Sequence, residues 1–239
     1  MTERSILTAN LLDNITLSDQ TNHLVFKVEG QPKFTFNAGQ FISMLHEFEG
    51  KSLTRAYSLA SAPREGGSFD ICLNRVDEGP FSNYLCDLKV GSQVQFHGPH
   101  GYFVLKQPIR DSIFVATGTG IAPMRAMLQH LWAHPEIYRD RQFYLVFGTR
   151  YQQDLYYDAE FREMASLHSN FHYIPTLSRD NPGWGGVNGY VQKHVREIAE
   201  GRTDMDAYIC GLADMVKANR DQLKELGWDR KSILYERYD

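Results

Sequence analysis

The alternation of hydrophobic and polar residues changes character near residues 106–111, and this change divides the chain into two parts. Before it, short apolar runs alternate with turn residues, a pattern typical of an antiparallel barrel or sandwich. The predicted strands are residues 23–28, 40–44, 56–59, 69–76 and 93–96. One helix is predicted over residues 82–88, with Ser82 as its N-cap.

After Pro108 the pattern becomes an alternation of strands and helices. The predicted strands are residues 113–116, 142–147, 171–177, 207–210 and 232–236, and the predicted helices are 122–132, 159–166, 190–198 and 213–226. Strands that alternate with helices build a doubly wound parallel sheet. We therefore predict two domains: an antiparallel β-barrel over residues 1–107 and an α/β domain over residues 108–239.

The strand ends of the second part carry the first candidate binding residues, because ligands of such sheets lie at the carboxyl ends of strands. The segment Thr117-Gly-Thr-Gly120 follows an apolar strand and opens a helix. Glycine lets a ligand approach the backbone, and the helix N-terminus attracts a phosphate. The same turn also occurs with a purely structural role. Arg150 and the pair Cys210-Gly211 end two further strands.

Two segments of the first part also suggest chemistry. In Arg55-Ala-Tyr-Ser58, an extended backbone places Arg55 and Tyr57 on one face and Ser58 on the other. A surface arginine beside a core tyrosine explains the same residues. In Gly79-Pro-Phe-Ser82, the predicted helix start offers N–H groups to a diphosphate, although an ordinary capped helix fits equally well.

A third group follows the third strand of the second part. Ser178 and Arg179 place a hydroxyl beside a guanidinium, a combination that clamps a phosphate monoester. Tyr190 and Gln192 follow, and a tyrosine ring can stack on a purine. Arg150 adds positive charge. The alternative is a solvated loop followed by a half-buried helix.

Composition narrows the class of protein. The 239 residues are 42% hydrophobic and 23% charged, which is typical of a globular protein, and the net charge of −4 argues against a general nucleic-acid binder. An apolar stretch of roughly 18 residues is absent, so no membrane span is expected. Cys72, Cys86 and Cys210 are too dispersed for a zinc or iron–sulfur site. We expect no metal and a cytoplasmic monomer without a signal peptide.

Taken together, the motifs resemble those of the plant-type ferredoxin–NADP(H) reductase family, in its bacterial form. The matching segments, in the order that the family has them, are Arg55–Ser58, Gly79–Lys89, Gly98–Gly101, Ala116–Pro123, Cys210–Leu212 and Tyr235–Tyr238. The resemblance implies a flavin-binding barrel followed by a pyridine-nucleotide domain, with FAD and NADP(H) as cofactors.

The resemblance also implies roles for individual residues. The FAD-binding residues would be Arg55, Ala56, Tyr57, Ser58, Gly79, Phe81, Ser82 and Tyr238. The NADP-binding residues would be Thr117, Gly118, Thr119, Gly120, Arg150, Ser178, Arg179, Tyr190, Gln192, Cys210 and Gly211. Tyr57 would stack on the isoalloxazine, and Ser58 would hydrogen-bond near flavin N5. Cys210 would lie beside nicotinamide C4. Glu236 would assist proton movement, or form an ordinary ion pair.

The chain departs from the family pattern at its end, where Asp239 follows the aromatic residue Tyr238 that would shield the flavin. Arg150, Arg179 and Tyr190 favour NADP(H), since a 2′-phosphate needs cationic partners. NADH-using relatives can also carry an arginine at the first of these positions.

The predicted function is an FAD-dependent reductase that exchanges electrons between NADP(H) and a separate ferredoxin or flavodoxin. One alternative within the same fold is an NAD(P)H-dependent flavin reductase or the reductase component of an oxygenase. An alternative of another class is a non-catalytic flavin-binding electron-transfer subunit.

Overall fold

The computed structural model describes residues 5–238, and the chain divides into two compact units. The first unit comprises the chain up to Val104 together with Arg125–His130. The second comprises Leu105–Met124 and the chain from Leu131 onward. The domain limits of 1–107 and 108–239 stay a prediction. No helix within the described residues is long and apolar enough to cross a membrane.

The first unit is built on a six-stranded antiparallel sheet. Its strands are β1 (Leu7–Ser18), β2 (Thr21–Val28), β3 (Phe41–Phe48), β4 (Lys51–Ser58), β5 (Ser68–Asn74) and β6 (Gln93–His100). Their order is β4-β3-β6-β1-β2-β5. Just beyond the end of edge strand β4, Leu59 forms a bridge to Ile71 of the other edge strand, β5. The sheet is therefore barrel-like, which confirms the predicted antiparallel architecture, although the barrel is not closed.

Aromatic rings fill the interior of this sheet. Phe26 stacks on Phe69 at a centroid distance of 5.5 Å, and Phe96 meets Phe69 edge-on at 5.3 Å. All three rings are fully buried. Strand β1 was not predicted, because its polar and half-exposed positions bury only Ala9 and Leu11 and so give a weak alternation.

The short helix of the first unit begins earlier than the sequence suggested. Helix α1 spans Pro80–Cys86, and its N-cap is Gly79 rather than Ser82, so the prediction of Ser82 as N-cap was wrong. Proline at the first helical position costs nothing, since its missing N–H would have no intrahelical partner. Ser82 instead lies in the first turn. Its hydroxyl donates to the Gly79 carbonyl and accepts from the Val76 amide, each at 3.1 Å.

The second unit contains a six-stranded parallel sheet flanked by helices, which confirms the doubly wound prediction. Its strands are β7 (Ser112–Thr117), β8 (Phe143–Thr149), β9 (Phe171–Leu177), β10 (Val187–Asn188), β11 (Asp206–Leu212) and β12 (Ile233–Tyr238). The helices along this part of the chain are α2 (Ile121–Trp132), α3 (Pro135–Tyr138), α4 (Asp158–Leu167), α5 (Val191–Ala199) and α6 (Ala213–Glu225). The strand order is β10-β9-β8-β7-β11-β12.

The amino end of this parallel sheet is held by buried charge. Asp206, the first residue of β11, is fully buried and accepts from the Lys106 ammonium at 2.9 Å. The Arg110 guanidinium donates to the same carboxylate at 2.5 and 3.2 Å, and to the Ser232 hydroxyl at 2.6 Å. These groups satisfy one another, so this end of the sheet has a structural role.

Candidate functional site

Strand β4 carries the candidate flavin residues Arg55, Ala56, Tyr57 and Ser58, and their burial increases toward the end of the strand. Ser58 pairs with Phe41 at the end of the strand, and its side chain is buried at 7% exposure. Tyr57 is half-buried, whereas Arg55 and Ala56 are exposed. The Arg55 guanidinium donates to the carbonyl of its neighbour Thr54 at 2.9 Å, so its charge remains near the surface.

Tyr57 presents an uncharged phenol. Its ring packs 6.1 Å from that of Phe81, a buried residue of α1. Burial raises the pKa of the Tyr57 phenol, the nearby Cys86 raises it further, and Arg55 lowers it by less. Tyr57 therefore keeps its proton at physiological pH. It offers a flat apolar ring and a hydroxyl donor, which suits contact with an aromatic cofactor.

The start of helix α1 is fixed from the neighbouring strand. Arg75 follows β5 and donates to the Asn83 side chain at 3.0 Å and to the Asp87 carboxylate at 2.6 Å. The Asn83 amide donates in turn to the Val76 carbonyl at 3.3 Å. Gly79 supplies no side-chain cap at this helix start. The first turn of α1 thus has a defined place beside β5, with an uncapped N-terminus.

In the second unit, the order in which strands are added to the sheet reverses between β7 and β11. Strands β8 and β9 extend the sheet on one side of β7, while β12 extends it beyond β11. The carboxyl ends of the two central strands carry Thr117 and the pair Cys210-Gly211, and Ala116 pairs with Cys210. Such a reversal point is where open α/β sheets bind their ligands.

Glycine is required where these two strand ends meet. A Cβ atom on Gly120 would lie 2.3 Å from the Cys210 carbonyl oxygen, and one on Gly211 would lie 2.3 Å from the Thr117 hydroxyl oxygen. Gly118 is different: it has φ +54° and no atom within 4 Å of the position of a Cβ. Two glycines therefore allow the backbones to touch, whereas Gly118 faces open space that a ligand can enter.

Thr117 places a buried hydroxyl at the end of β7. Its hydroxyl oxygen is buried and has no hydrogen-bond partner among residues 5–238. Buried polar atoms in folded proteins are nearly always paired, so an unpaired one at this position calls for an explanation. A bound nucleotide is one group that could pair with the Thr117 hydroxyl, so this strand end fits the predicted nucleotide site.

Cys210, Glu236 and Tyr238 lie together at the same strand ends. Cys210 is fully buried, and Glu236 stands opposite it in the register of β11 and β12. Burial raises the pKa of the Cys210 thiol and the Glu236 charge raises it further, while hydrogen bonds to Tyr238 and the Gly211 backbone lower it by less. Cys210 is therefore a neutral thiol at physiological pH. No cluster suited to a metal ion occurs within the described part of the chain.

The candidate 2′-phosphate residues lie on neighbouring strand ends of the second unit. Ser178 follows β9, and its hydroxyl donates to the Thr149 carbonyl at 3.2 Å. Asn181 donates to the carbonyls of Arg150 at 3.3 Å and Arg179 at 2.8 Å, which joins the loops of the two exposed arginines. The sequence reasoning missed Asn181, although asparagine in a turn-rich segment is a known loop-bracing signal.

Two further predicted residues lie at the start of helix α5. Tyr190 is the N-cap residue of this helix and is 69% exposed, so its ring is accessible. Gln192 has a buried side-chain oxygen with no partner among the described residues. The main-chain carbonyl of Gln192 accepts a hydrogen bond from the side-chain amide of Gln222 at 2.9 Å. The exposed ring and the unpaired amide oxygen are compatible with a bound nucleotide.

Two family models match the chain. The model of the oxidoreductase FAD-binding domain matches residues 8–105, and that of the oxidoreductase NAD-binding domain matches residues 114–221. The chain is 37% identical over 241 residues to ferredoxin--NADP reductase B of Sorangium cellulosum (strain So ce56), covering 93% of each protein. It is 31% identical over 208 residues to the phenol 2-monooxygenase reductase component DmpP of Pseudomonas sp. (strain CF600), covering 85% of this chain and 58% of that protein.

Solved structures show the same fold. The ferredoxin NADP+ reductase from Neisseria gonorrhoeae with bound FAD and NADP superposes with a TM-score of 0.83 at 20% identity, covering 98% of this chain and 99% of that one. The Amycolatopsis cytochrome P450 reductase GcoB gives a TM-score of 0.86 at 26% identity, covering 98% of this chain and 69% of that one. The predicted cofactors, FAD and a nicotinamide nucleotide, are confirmed by the two family models, which describe an FAD-binding and an NAD-binding domain.

Proposed function

Since this chain belongs to the ferredoxin–NADP reductase family of FAD- and NAD(P)-dependent oxidoreductases, we propose that it exchanges electrons between NADP(H) and a separate ferredoxin or flavodoxin. The observation that carries the nucleotide half of this proposal is the unpaired Thr117 hydroxyl at the reversal point of the parallel sheet. The 37% identity to a ferredoxin--NADP reductase supports the choice of acceptor.

The residues of the first unit would hold FAD. We propose that Tyr57 lies against the isoalloxazine ring and that Ser58 donates a hydrogen bond near flavin N5. Arg55 would pair with the diphosphate, whose other contacts come from the uncapped start of α1 at Gly79. The remaining FAD contacts are proposed for Ala56, Phe81 and Ser82 of this unit, and for Tyr238, which belongs to the second unit. Bound FAD accepts a hydride from the nicotinamide and releases its electrons singly.

The residues of the second unit would hold the nicotinamide nucleotide. We propose that Thr117 hydrogen-bonds the nucleotide while Gly118 lets it approach the backbone. Further contacts are proposed for Thr119, Gly120 and Gly211. Cys210, as a neutral and fully buried thiol, supplies shape rather than charge beside the reacting carbon. Glu236, one strand away, would assist proton movement.

NADPH is the proposed substrate rather than NADH. The two exposed guanidiniums of Arg150 and Arg179 lie in loops that Asn181 joins, and Ser178 adds a hydroxyl. Such a set matches the charge and the acceptor oxygens of a 2′-phosphate. Tyr190 would stack on the adenine, and Gln192 would contribute its unpaired amide oxygen.

The test is a set of steady-state rates with purified protein. NADPH and NADH are each offered with ferredoxin, flavodoxin or free flavin as the acceptor, and FAD content is measured on the same sample. We expect bound FAD, a higher kcat/KM with NADPH, and faster reduction of ferredoxin or flavodoxin than of free flavin. A protein that is colourless and cannot be reconstituted with FAD would refute the proposal.

A second candidate function follows from the other relatives. The chain is 31% identical to the DmpP reductase component and spans 58% of that protein. We propose, as the alternative, the reductase component of an oxygenase or an NAD(P)H-dependent flavin reductase. A preference for NADH together with rapid reduction of free flavin would favour it. Absence of any NAD(P)H oxidation by the flavin-loaded protein would favour a non-catalytic electron-transfer subunit.

A further inference from the structure

The segment of residues 59–62, directly after Ser58, is held by hydrogen bonds from several elements of the first unit. The Ala60 amide donates to the Asp70 carbonyl at 2.8 Å, and the Asp70 amide donates to the Ser61 hydroxyl at 3.1 Å. On the other side, the Leu59 amide donates to the Gln40 carbonyl at 2.9 Å. The backbone that follows Ser58 therefore has little freedom to move.

Arg125 is the charged member of this set. Its guanidinium donates from one nitrogen to the Ala60 carbonyl at 2.8 Å and to the Asp70 carboxylate at 3.2 Å. The Arg125 side chain is 13% exposed and that of Asp70 is 2% exposed. One helical turn further along α2, Gln129 accepts from the Ala62 amide at 3.1 Å. All of these residues belong to the first unit.

Arg64 provides an internal comparison. It also forms an ion pair with Asp70, and it donates to the Ser68 hydroxyl at 2.8 Å. Its side chain is 41% exposed, and its hydrogen bonds go to side chains of β5 rather than to the segment 59–62. Asp70 thus has two guanidinium partners, and of these Arg125 is the one that also binds the backbone beyond Ser58.

We propose that Arg125 is a positioning residue for Ser58, a role that rests on the proposed function of Ser58 at the flavin. The guanidinium joins a buried carboxylate to the Ala60 carbonyl, so the peptide two residues after Ser58 cannot rotate without breaking a charge-assisted hydrogen bond. Because Ser58 ends β4, the orientation of its hydroxyl depends on where the chain continues. Arg64 neutralises Asp70 without this constraint.

The experiment compares Arg125→Gln with the matched variant Arg64→Gln in the full-length, FAD-loaded protein. We expect Arg125→Gln to lower kcat for NADPH oxidation about tenfold, since a small misplacement at a reacting centre has effects of this size or larger. KM for NADPH should stay within about twofold, because the two hydrogen bonds that define the proposed role of Arg125 go to Ala60 and Asp70 rather than to a proposed nucleotide residue. The visible spectrum and midpoint potential of the bound flavin should shift. Arg64→Gln should leave kcat, spectrum and potential unchanged.

The conservative variant Arg125→Lys keeps the charge and one donor, and we expect it to recover kcat to within about threefold of the original protein. If Arg125→Gln does not retain FAD, Arg125→Lys is compared with Arg64→Lys, and we then expect a loss of kcat of about two- to threefold with a shifted flavin spectrum in Arg125→Lys and no change in Arg64→Lys. Equal effects of the two arginines on kcat and on the flavin spectrum would overturn the proposal. An original protein that neither binds FAD nor oxidises NADPH would instead remove the proposed function on which it rests.

Discussion

The contact between Gly120 and the end of β11 leads to a quantitative prediction. In Gly120→Ala, the new methyl group would lie 2.3 Å from the Cys210 carbonyl oxygen, 2.6 Å from its carbon and 2.8 Å from the Gly211 nitrogen. All three atoms are backbone, so no side chain can swing away. An ordinary contact needs about 3.5 Å, and the glycine loop must therefore move away from β11 by about 1 Å.

The displacement has two measurable consequences. Crowding of a packed interior costs about 1–3 kcal/mol, which corresponds to a loss of about 3–10 °C in Tm for a unit of this size. A shift of about 1 Å at a binding loop costs up to about 100-fold in rate. We expect kcat/KM for NADPH to fall by about 100-fold while FAD content is unchanged, because all of the proposed flavin residues except Tyr238 belong to the other unit.

The assay is steady-state NADPH oxidation together with thermal unfolding and FAD quantification. Gly185→Ala is the matched control, since no atom lies within 4 Å of a Cβ at Gly185 and its φ is not in the left-handed region. We expect this control to behave like the original protein. If Gly120→Ala keeps kcat/KM within about twofold of Gly185→Ala, the glycine loop does not bind the nucleotide as proposed.

Three further predictions concern the second unit. Arg179→Ala should raise KM for NADPH about tenfold and leave KM for NADH unchanged, because a charge-assisted bond to the 2′-phosphate is lost; Arg196→Ala, an exposed arginine of α5, is the control, and equal effects on both nucleotides would contradict the assignment. Thr117→Val should leave Tm unchanged or higher, since the buried hydroxyl is unpaired, yet weaken NADP+ binding about fivefold or more by titration; unchanged affinity would exclude Thr117 from the site. Because burial raises the pKa of the Cys210 thiol, this group stays protonated as pH rises through the usual thiol range. The profile of kcat against pH from about 6 to 9 should therefore keep its shape in Cys210→Ala. If a rising or falling part of the profile disappears in the variant, the thiol titrates and the prediction is wrong.

Local patterns predicted five of the six strands and the four long helices of the second part of the chain, and they missed the two-residue strand β10 and the four-residue helix α3. The strands of this part are apolar runs and its helices are separated by clear turn residues, so the alternation predicts the doubly wound sheet directly. Strand β1 was not predicted, because only two of its residues, Ala9 and Leu11, are buried and the alternation along it is weak. The start of α1 was predicted two residues too late because serine is a frequent N-cap residue. Pro80 instead occupies the first helical position, which it favours, and Gly79 is the N-cap.

The contacts that define the site were beyond local reasoning. Gly120 and Gly211 are needed because β7 and β11 are neighbours, and neighbouring strands that lie so far apart in sequence leave no periodic signal. The same holds for Arg125 and Asp70, which meet only after the chain has folded. Motif order predicted which residues belong to which cofactor, but it did not indicate the roles of Asn181 or Arg125.

The two ends of the parallel sheet differ in whether their buried polar groups have hydrogen-bond partners, and this difference supports the proposal of a binding site at the carboxyl end. At the amino end, the buried Asp206 carboxylate is satisfied by Lys106 and Arg110. At the carboxyl end, the Thr117 hydroxyl is buried and unpaired among the described residues, and Gly118 borders open space. A buried hydroxyl left without a partner costs about 1–3 kcal/mol of stability. If a nucleotide binds at the reversal point of the sheet, as proposed, it would give the Thr117 hydroxyl a partner, and loss of this hydroxyl should then weaken nucleotide binding more than it weakens the fold.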